Sequence, residues 1–256
     1  MKIIDVQKPQ EWESVELFSL SDLHIGDPKT DIKMFREFVK YIKEQENRLL
    51  IYNGDNANNA IKSSVSNIYT ETMSPREQKQ FLKEELAEIS DRFIAWIPGN
   101  HENRTSKECD SHMVEDLAEY FGQKEIYRPD EAVIKLSFGR TKNPKKKQVY
   151  SIYCTHGSGG GKRPGSAINN LELLGLSIDA DIYIVGHTHK KLAYKNGFRR
   201  LDLRNNKVVQ TERLFVISSS WSDFGGYAAR LMLTPSAKGA TPIYIDGRKK
   251  YFWARV

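Results

Sequence analysis

The sequence predicts an α/β layered fold in a single domain, 1–256, with a β-rich C-terminal part from about residue 190. Three observations predict it. Apolar, β-rich runs alternate with helical patterns through the first two thirds of the chain. From about 190 the apolar period shifts toward two. The 256 residues are enough to bury one large core.

The first strand is 15–20 (VELFSL), which runs into Ser21-Asp22-Leu23-His24. Residues 31–44 follow with helical spacing at Ile32, Phe35, Phe38, Val39 and Ile42. The strand 49–52 (LLIY) runs into Asn53-Gly54-Asp55. Ser74-Pro75-Arg76-Glu77 predicts a helix start, with Ser as N-cap, Pro at the first helical position and Glu at the third; the helix continues through FLKEELAEI. The strand 92–97 runs into PGNHE, and 112–121 predicts a short helix. Strands near 132–138 and 148–154 flank the basic run NPKKK (143–147), read as a solvated hairpin tip; the second strand ends in THG. A helix around 167–174 precedes the strand IYIV (182–185) and then GHTH. Five period-two stretches complete the chain: KLAYK, KVVQTERLFVISSS, ARLMLT, TPIYIDG and KKYFWARV.

Composition excludes several classes. Aromatics at 11% and charge at 28% argue against disorder. No stretch approaches the roughly 20 apolar residues of a membrane span, and the short apolar run of MKIIDVQKPQEWE, followed by acids, is not a signal peptide. The two cysteines, Cys109 and Cys154, suit a reducing cytoplasmic setting and lack metal-binding spacing, although one disulfide remains open. The formal net charge of +6 favours an anionic partner.

The strand ends carry the chemistry. Asp22 and His24 close the first, Asp55 the second, Asn100, His101 and Glu102 the third, His156 a later one, and His187 and His189 the last. In an open α/β fold such carboxyl ends converge on one edge. Five of the six histidines stand at these ends; His112 does not, and sits in a predicted helix. Neutral imidazoles, carboxylates and an amide oxygen without thiolates suit borderline divalent metals: Mn, Fe, Zn, Co or Ni. The two aspartates, the asparagine and the histidines are too many for one tetrahedral zinc. They suit two cations, roughly 3.5–4 Å apart, that generate a hydroxide and clamp the oxygens of a phosphate.

The blocks DLH (22–24), GD (54–55), GNHE (99–102), His156 and GHTH (186–189), in this order and each after a strand, resemble the calcineurin-like metallophosphoesterase superfamily. The resemblance spans about 16–190 and leaves the last quarter of the chain without a motif. It implies two packed mixed β-sheets flanked by helices, a four-layer sandwich. It implies two divalent metals, manganese first among the candidates. One would be held by Asp22, His24, Asp55 and His189, the other by Asp55, Asn100, His156 and His187, with Asp55 bridging. Catalysis would fall to Asp55 and to His101, which would stand beside the phosphate, stabilising the transition state or protonating the leaving oxygen. Gly54, Gly99 and Gly186 would let the backbone turn sharply at the strand ends.

One departure from the family pattern bears on substrate. In the protein phosphatase branch an Asp and an Arg follow GD; here the block reads GDNANNA, with Asn58 at the Asp position and no arginine. The dianion grip and the carboxylate partner of His101 are both missing there, and Arg104 is the candidate replacement charge. HGSGGGKRPGS (156–166) supplies Lys162 and Arg163. That run has two readings, a phosphate-contacting loop and a flexible surface loop; its context is similar to phage-type members of the superfamily. Three functions follow. The favoured one is a phosphodiesterase or nuclease acting on nucleic acid or nucleotide, using a metal-bridging hydroxide. The second is a phosphomonoesterase. The third, a binding module that has inherited the fold, is disfavoured because no ligand position is missing.

Overall fold

Two sheets form because apolar residues occupy both faces of the central strands. The computed structural model describes residues 2–64, 67–141, 143, 146–159, 164–225 and 234–256. In the first sheet β2 (Ser14–Leu20), β3 (Arg48–Asn53) and β4 (Phe93–Ile97) run parallel; β10 (Ile243–Asp246) pairs antiparallel with β2, and β11 (Phe252–Ala254) with β10. The order is β11-β10-β2-β3-β4. The second sheet uses β1 (Ile4–Gln7), β5 (Glu131–Phe138), β6 (Gln148–Thr155), β7 (Ile182–Val185), β8 (Leu192–Asp202) and β9 (Lys207–Ile217), in the order β1-β5-β6-β7-β9-β8. Within it β6, β7 and β9 are parallel.

Alternation along each strand sends neighbouring side chains to opposite layers. Leu17, Leu49, Ile51 and Ile97 meet Ile134, Leu136, Ile152, Ile184 and Val216 between the sheets. Phe18, Leu20, Leu50, Tyr52 and Trp96 face the other way. They pack on Phe35 of α1 (Ile32–Lys43), Leu82 of α2 (Pro75–Leu86) and Leu117 of α4 (Met113–Tyr120). On the far side of the second sheet Tyr153, Tyr183 and Phe215 pack on Ala167 and Leu171 of α5 (Pro164–Ser177). The layers are therefore helix, sheet, sheet, helix, the expected sandwich. Full burial of each such side chain stabilises by roughly 1.5–3 kcal/mol.

Helix starts follow local chemistry. The Asp31 carboxylate accepts from Met34 N at 3.0 Å and caps α1. Ser74 and Glu77 form the reciprocal capping box of α2. His112 sits at the N-cap position of α4, paired with Asp110 and away from the other histidines. Among the described residues no helix is long and apolar enough to cross a membrane.

Some elements differ from expectation. The helix α3 (Asn103–Cys109) has no apolar stripe to announce it; of its NRTSKEC residues the buried one is Thr105. The expected strand KLAYK continues through Asn196-Gly197, so the β8–β9 turn lies between Asp202 and Lys207. Residues 229–233 of the expected strand ARLMLT lie outside the described residues. The tail is built into both sheets: β8 and β9 close one edge of the second, β10 and β11 cover β2 in the first.

Candidate metal centre

The carboxyl ends of β2, β3, β4, β6 and β7 deliver their loops to one place. Backbone bonds tie the first two together: Asp22 N donates to Gly54 O at 3.0 Å and His24 N to Asp55 O at 3.0 Å. His187 N donates to both Asp22 carboxylate oxygens at 3.1 Å, and His101 N to Asp55 Oδ1 at 2.8 Å. Asp22, His24, Asp55, His187 and His189 all have left-handed backbones, with φ between 52° and 66°. Such residues cost of order 1 kcal/mol each and persist where the surroundings over-determine them. Gly54 shares this conformation at φ 78°. Gly99 and Gly186 do not, in contrast to the expected role in turning. A Cβ on Gly99 would overlap the Asp55 carboxylate, and one on Gly186 the Ser21 hydroxyl and Asp22 carboxylate, so close approach is what requires glycine there.

Among the described residues, three sets of side chains have one ligand atom each within 4.8 Å of one another: Asp22, His24 and His189; His24, Asp55 and His101; Asp55, His156 and His187. Asp55 belongs to two of them. Asn100 is exposed at the rim, and its side chain is not hydrogen-bonded to any described residue. Lys162 and Arg163 lie outside the described residues.

The donor atoms face one another in a way that calls for a cation. His156 Nδ1 contacts the Asn53 carbonyl at 2.8 Å and so carries a proton; its Nε2 is 3.1 Å from Asp55 Oδ2. Nε2 is buried without a hydrogen bond, as is Nδ1 of His187. In the other set His24 Nε2 lies 3.0 Å from His189 Nε2, which is 3.2 Å from Asp22 Oδ1. Two lone-pair-bearing atoms at such distances repel unless a proton or a metal ion stands between them. The donor set, imidazole nitrogen and carboxylate oxygen, is one that borderline divalent metals take. The residues therefore fit such ions.

The titrations express the same need. Burial disfavours charge on every member, but the Asp55 carboxylate overcomes it at His156, which is pushed up to about 10. The Asp22 carboxylate likewise raises His189. Burial is also the largest influence on Asp22 and Asp55; the facing histidines outweigh it and hold both carboxylates below the usual range. His24 stays well below its ordinary value because of burial and the neighbouring His101 and His189, and His187 is lowered by burial and His156.

His101 stands beside the cluster, its ring centroid 4.5 Å from that of His24 and its Nε2 3.8 Å from Asp55 Oδ2. Its Nδ1 contacts the Asn58 carbonyl at 2.9 Å, and Arg104 donates to Nε2 at 2.9 Å. A carbonyl only accepts and a guanidinium only donates. The proton is therefore on Nδ1, and Nε2 holds a lone pair. Burial, with the Arg104 charge acting in the same direction, lowers the pKa of this imidazole. The backbone carbonyl of Asn58 thus takes the place left by the missing carboxylate.

Sequence reasoning left Glu102 without a role. Its buried carboxylate accepts from the backbone N–H groups of Asp55 (2.7 Å), Asn56 (2.8 Å), Ala57 (3.2 Å) and Gly99 (2.9 Å), and from the Tyr52 hydroxyl (3.1 Å). Burial and the nearby Asp55 raise its pKa. Glu102 holds the GD and GNHE loops against each other. Its membership of the GNHE block is the one signal in the sequence; the inward aim of its side chain depends on the approach of residues 54–57.

A family model for calcineurin-like phosphoesterases matches residues 19–191, the segment that carries every one of these groups. The chain belongs to the calcineurin-like phosphoesterase family. The family's description names the reaction class it suggests for this site, phosphoric ester hydrolysis. No curated protein matches the chain. Similar solved structures include a conserved uncharacterized protein, a predicted phosphoesterase, from Streptococcus pneumoniae. It is 14% identical, covering 91% of this chain and 84% of its own, with a TM-score of 0.41. A single mutant of Vps29 from Entamoeba histolytica is 14% identical, covering 91% and 87%, with a TM-score of 0.46. Vacuolar Protein Sorting 29 from Cryptosporidium parvum is 16% identical, covering 94% and 96%, with a TM-score of 0.43.

Proposed function

We propose that this calcineurin-like phosphoesterase is a dinuclear, metal-dependent phosphodiesterase that hydrolyses nucleic acid or nucleotide diesters. The observation that carries the proposal is the membership of Asp55 in two sets, one with His24 and His101 and one with His156 and His187. Asp22, His24, Asp55 and His189 would hold one ion, and Asp55, Asn100, His156 and His187 the other. Manganese is the metal proposed; iron, zinc, nickel and cobalt use the same donors. When bound, such ions neutralise phosphate charge and acidify the attacking water. The chain's own groups do the rest. Glu102 holds the Asp55 backbone in place. His101, with Nδ1–H fixed on Asn58, keeps Nε2 for the proton that the leaving oxygen needs. Arg104, which lies beside that nitrogen, would bind a non-bridging phosphate oxygen.

Diester over monoester is favoured because Arg104 is the guanidinium joined to His101, and the His101 partner is a neutral carbonyl. A diester carries one negative charge per phosphate and needs less cationic grip than a dianion. The net charge of +6 suits a polyanionic substrate. A cytoplasmic location belongs to the same proposal, supported by two unpaired thiols, Cys109 and Cys154. The test is hydrolysis of bis-p-nitrophenyl phosphate against p-nitrophenyl phosphate, metal-stripped and then with manganese. Diester cleavage that returns with manganese and exceeds monoester cleavage is expected. Stronger monoester cleavage would replace the proposal with a phosphomonoesterase.

A further inference from the structure

The carbonyl that fixes His101 is itself held by a carboxylate from a distant segment. Asn58 O accepts from His101 Nδ1 and from Arg104 Nη1, both at 2.9 Å. It therefore sets the orientation of two groups at once, and its own residue must be held still. Asn58 is buried, and its N–H donates to Ile25 O at 2.8 Å. Its side-chain amide donates to Glu71 Oε1 at 2.6 Å. The second Glu71 oxygen accepts from Gln78 Nε2 at 3.2 Å, and Gln78 Oε1 accepts from Asn59 N at 2.8 Å. The segment carrying Glu71 is anchored in turn, because Thr72 donates from N (2.8 Å) and from Oγ1 (3.1 Å) to Gly26 O. Glu71 belongs to none of the Asp/His sets. It stands one residue behind His101 and Arg104, joined to both through Asn58.

We propose that Glu71 is a positioning residue for His101 and Arg104. By gripping the Asn58 side chain it aims the Asn58 carbonyl, and that carbonyl selects the Nδ1–H tautomer of His101. The consequence for chemistry rests on the diesterase proposal. Water supplies the new oxygen on phosphorus, and the proton it gives up passes to the lone pair of His101 Nε2. When the P–O bond to the leaving oxygen breaks, that oxygen takes this proton from Nε2. A ring in the opposite tautomer has no lone pair at Nε2 to receive the proton. A poor, alkoxide leaving group then suffers, whereas p-nitrophenolate departs without a proton.

The first measurement needs neither metal nor substrate: 15N spectra of histidine-labelled, metal-free protein, with the His101 signals identified through His101→Gln. Wild type and Glu71→Gln, whose amide oxygen still accepts from Asn58, are expected to hold His101 as Nδ1–H. Glu71→Ala is expected to shift it toward the Nε2–H form that free imidazole side chains prefer. An unchanged tautomer in Glu71→Ala overturns the proposal. The second measurement is turnover with manganese at equal metal content. Glu71→Ala is expected to lose about tenfold on a dinucleotide, part of what a general acid contributes, and to change little on bis-p-nitrophenyl phosphate. Glu71→Gln should recover the difference. Equal losses on both substrates would make Glu71 merely structural and overturn the proposal. A wild-type protein that cleaves only monoesters would sink the diesterase proposal, while the spectra still decide the role of Glu71.

Discussion

The two halves of the metal centre have the same parts and different surroundings. Each contains one aspartate, one histidine whose pKa that aspartate raises, and one histidine held neutral: Asp22, His189 and His24 in one half, Asp55, His156 and His187 in the other. The proton-holding histidines differ in access. The His189 side chain is 41% exposed, whereas that of His156 is 4% exposed and pinned through Nδ1 to Asn53. His101 and Arg104 stand near His24, in the half that holds His189. His189 is therefore the more accessible of the two proton-holding histidines, and His156 the more firmly held.

The strongest way to break this comparison is to remove Asp55, the residue proposed to serve both halves. Asp55→Ala should abolish binding of both ions and lower kcat/KM on the order of a thousandfold or more; metal analysis showing one ion retained would contradict the shared role. His156→Ala and His189→Ala should each lose one ion, with unequal effects on the fold. His156→Ala leaves a buried carbonyl without its donor and should cost about 2 kcal/mol in urea unfolding of the metal-free proteins. His189→Ala should cost much less, and equal losses would remove the distinction. Arg104→Ala should reduce kcat/KM on a diester by roughly tenfold, the scale of one charge-assisted hydrogen bond, without changing metal content.

The smallest effect is a pH dependence. His156 and His189 have folded pKa values above the unfolded value of about 6.5. Their stabilisation is full below that pH and is lost as the pH rises through the folded values, about 10 for His156. His24, His101 and His187 are shifted down and act in the opposite sense, costing stability as the pH falls below about 6.5. The Tm of stripped protein should therefore peak near neutrality and fall toward pH 10. Manganese-loaded protein should hold its Tm across the alkaline range, because the ion replaces the protons. Parallel curves would show that the raised histidines do not govern stability.

The strand ends were legible because composition and position coincide: β-branched runs followed by Asp, His and Gly mark both the element and its chemistry. The layer order was legible through the resemblance, since period alone cannot tell one sheet from two. Glu102 and Glu71 were not legible. Each is an acid whose partners lie far away in sequence, Asp55 for one and Asn58 for the other, so its meaning exists only once the loops have met. The helix α3 was missed for a different reason: it packs through a threonine hydroxyl rather than an apolar stripe.

The covering of β2 by β10 has a consequence for how the chain comes together during synthesis. β2 delivers Asp22 and His24, yet its outer edge is closed by residues 243–246, made more than two hundred positions later. Every candidate ligand has left the ribosome before that edge is sealed. Until then the strand that carries half the site presents unpaired N–H and C=O groups, open to a wrong partner. The last stretch of the chain carries none of the motif blocks, but it acts as the closure that makes the earlier, motif-bearing stretch safe to expose.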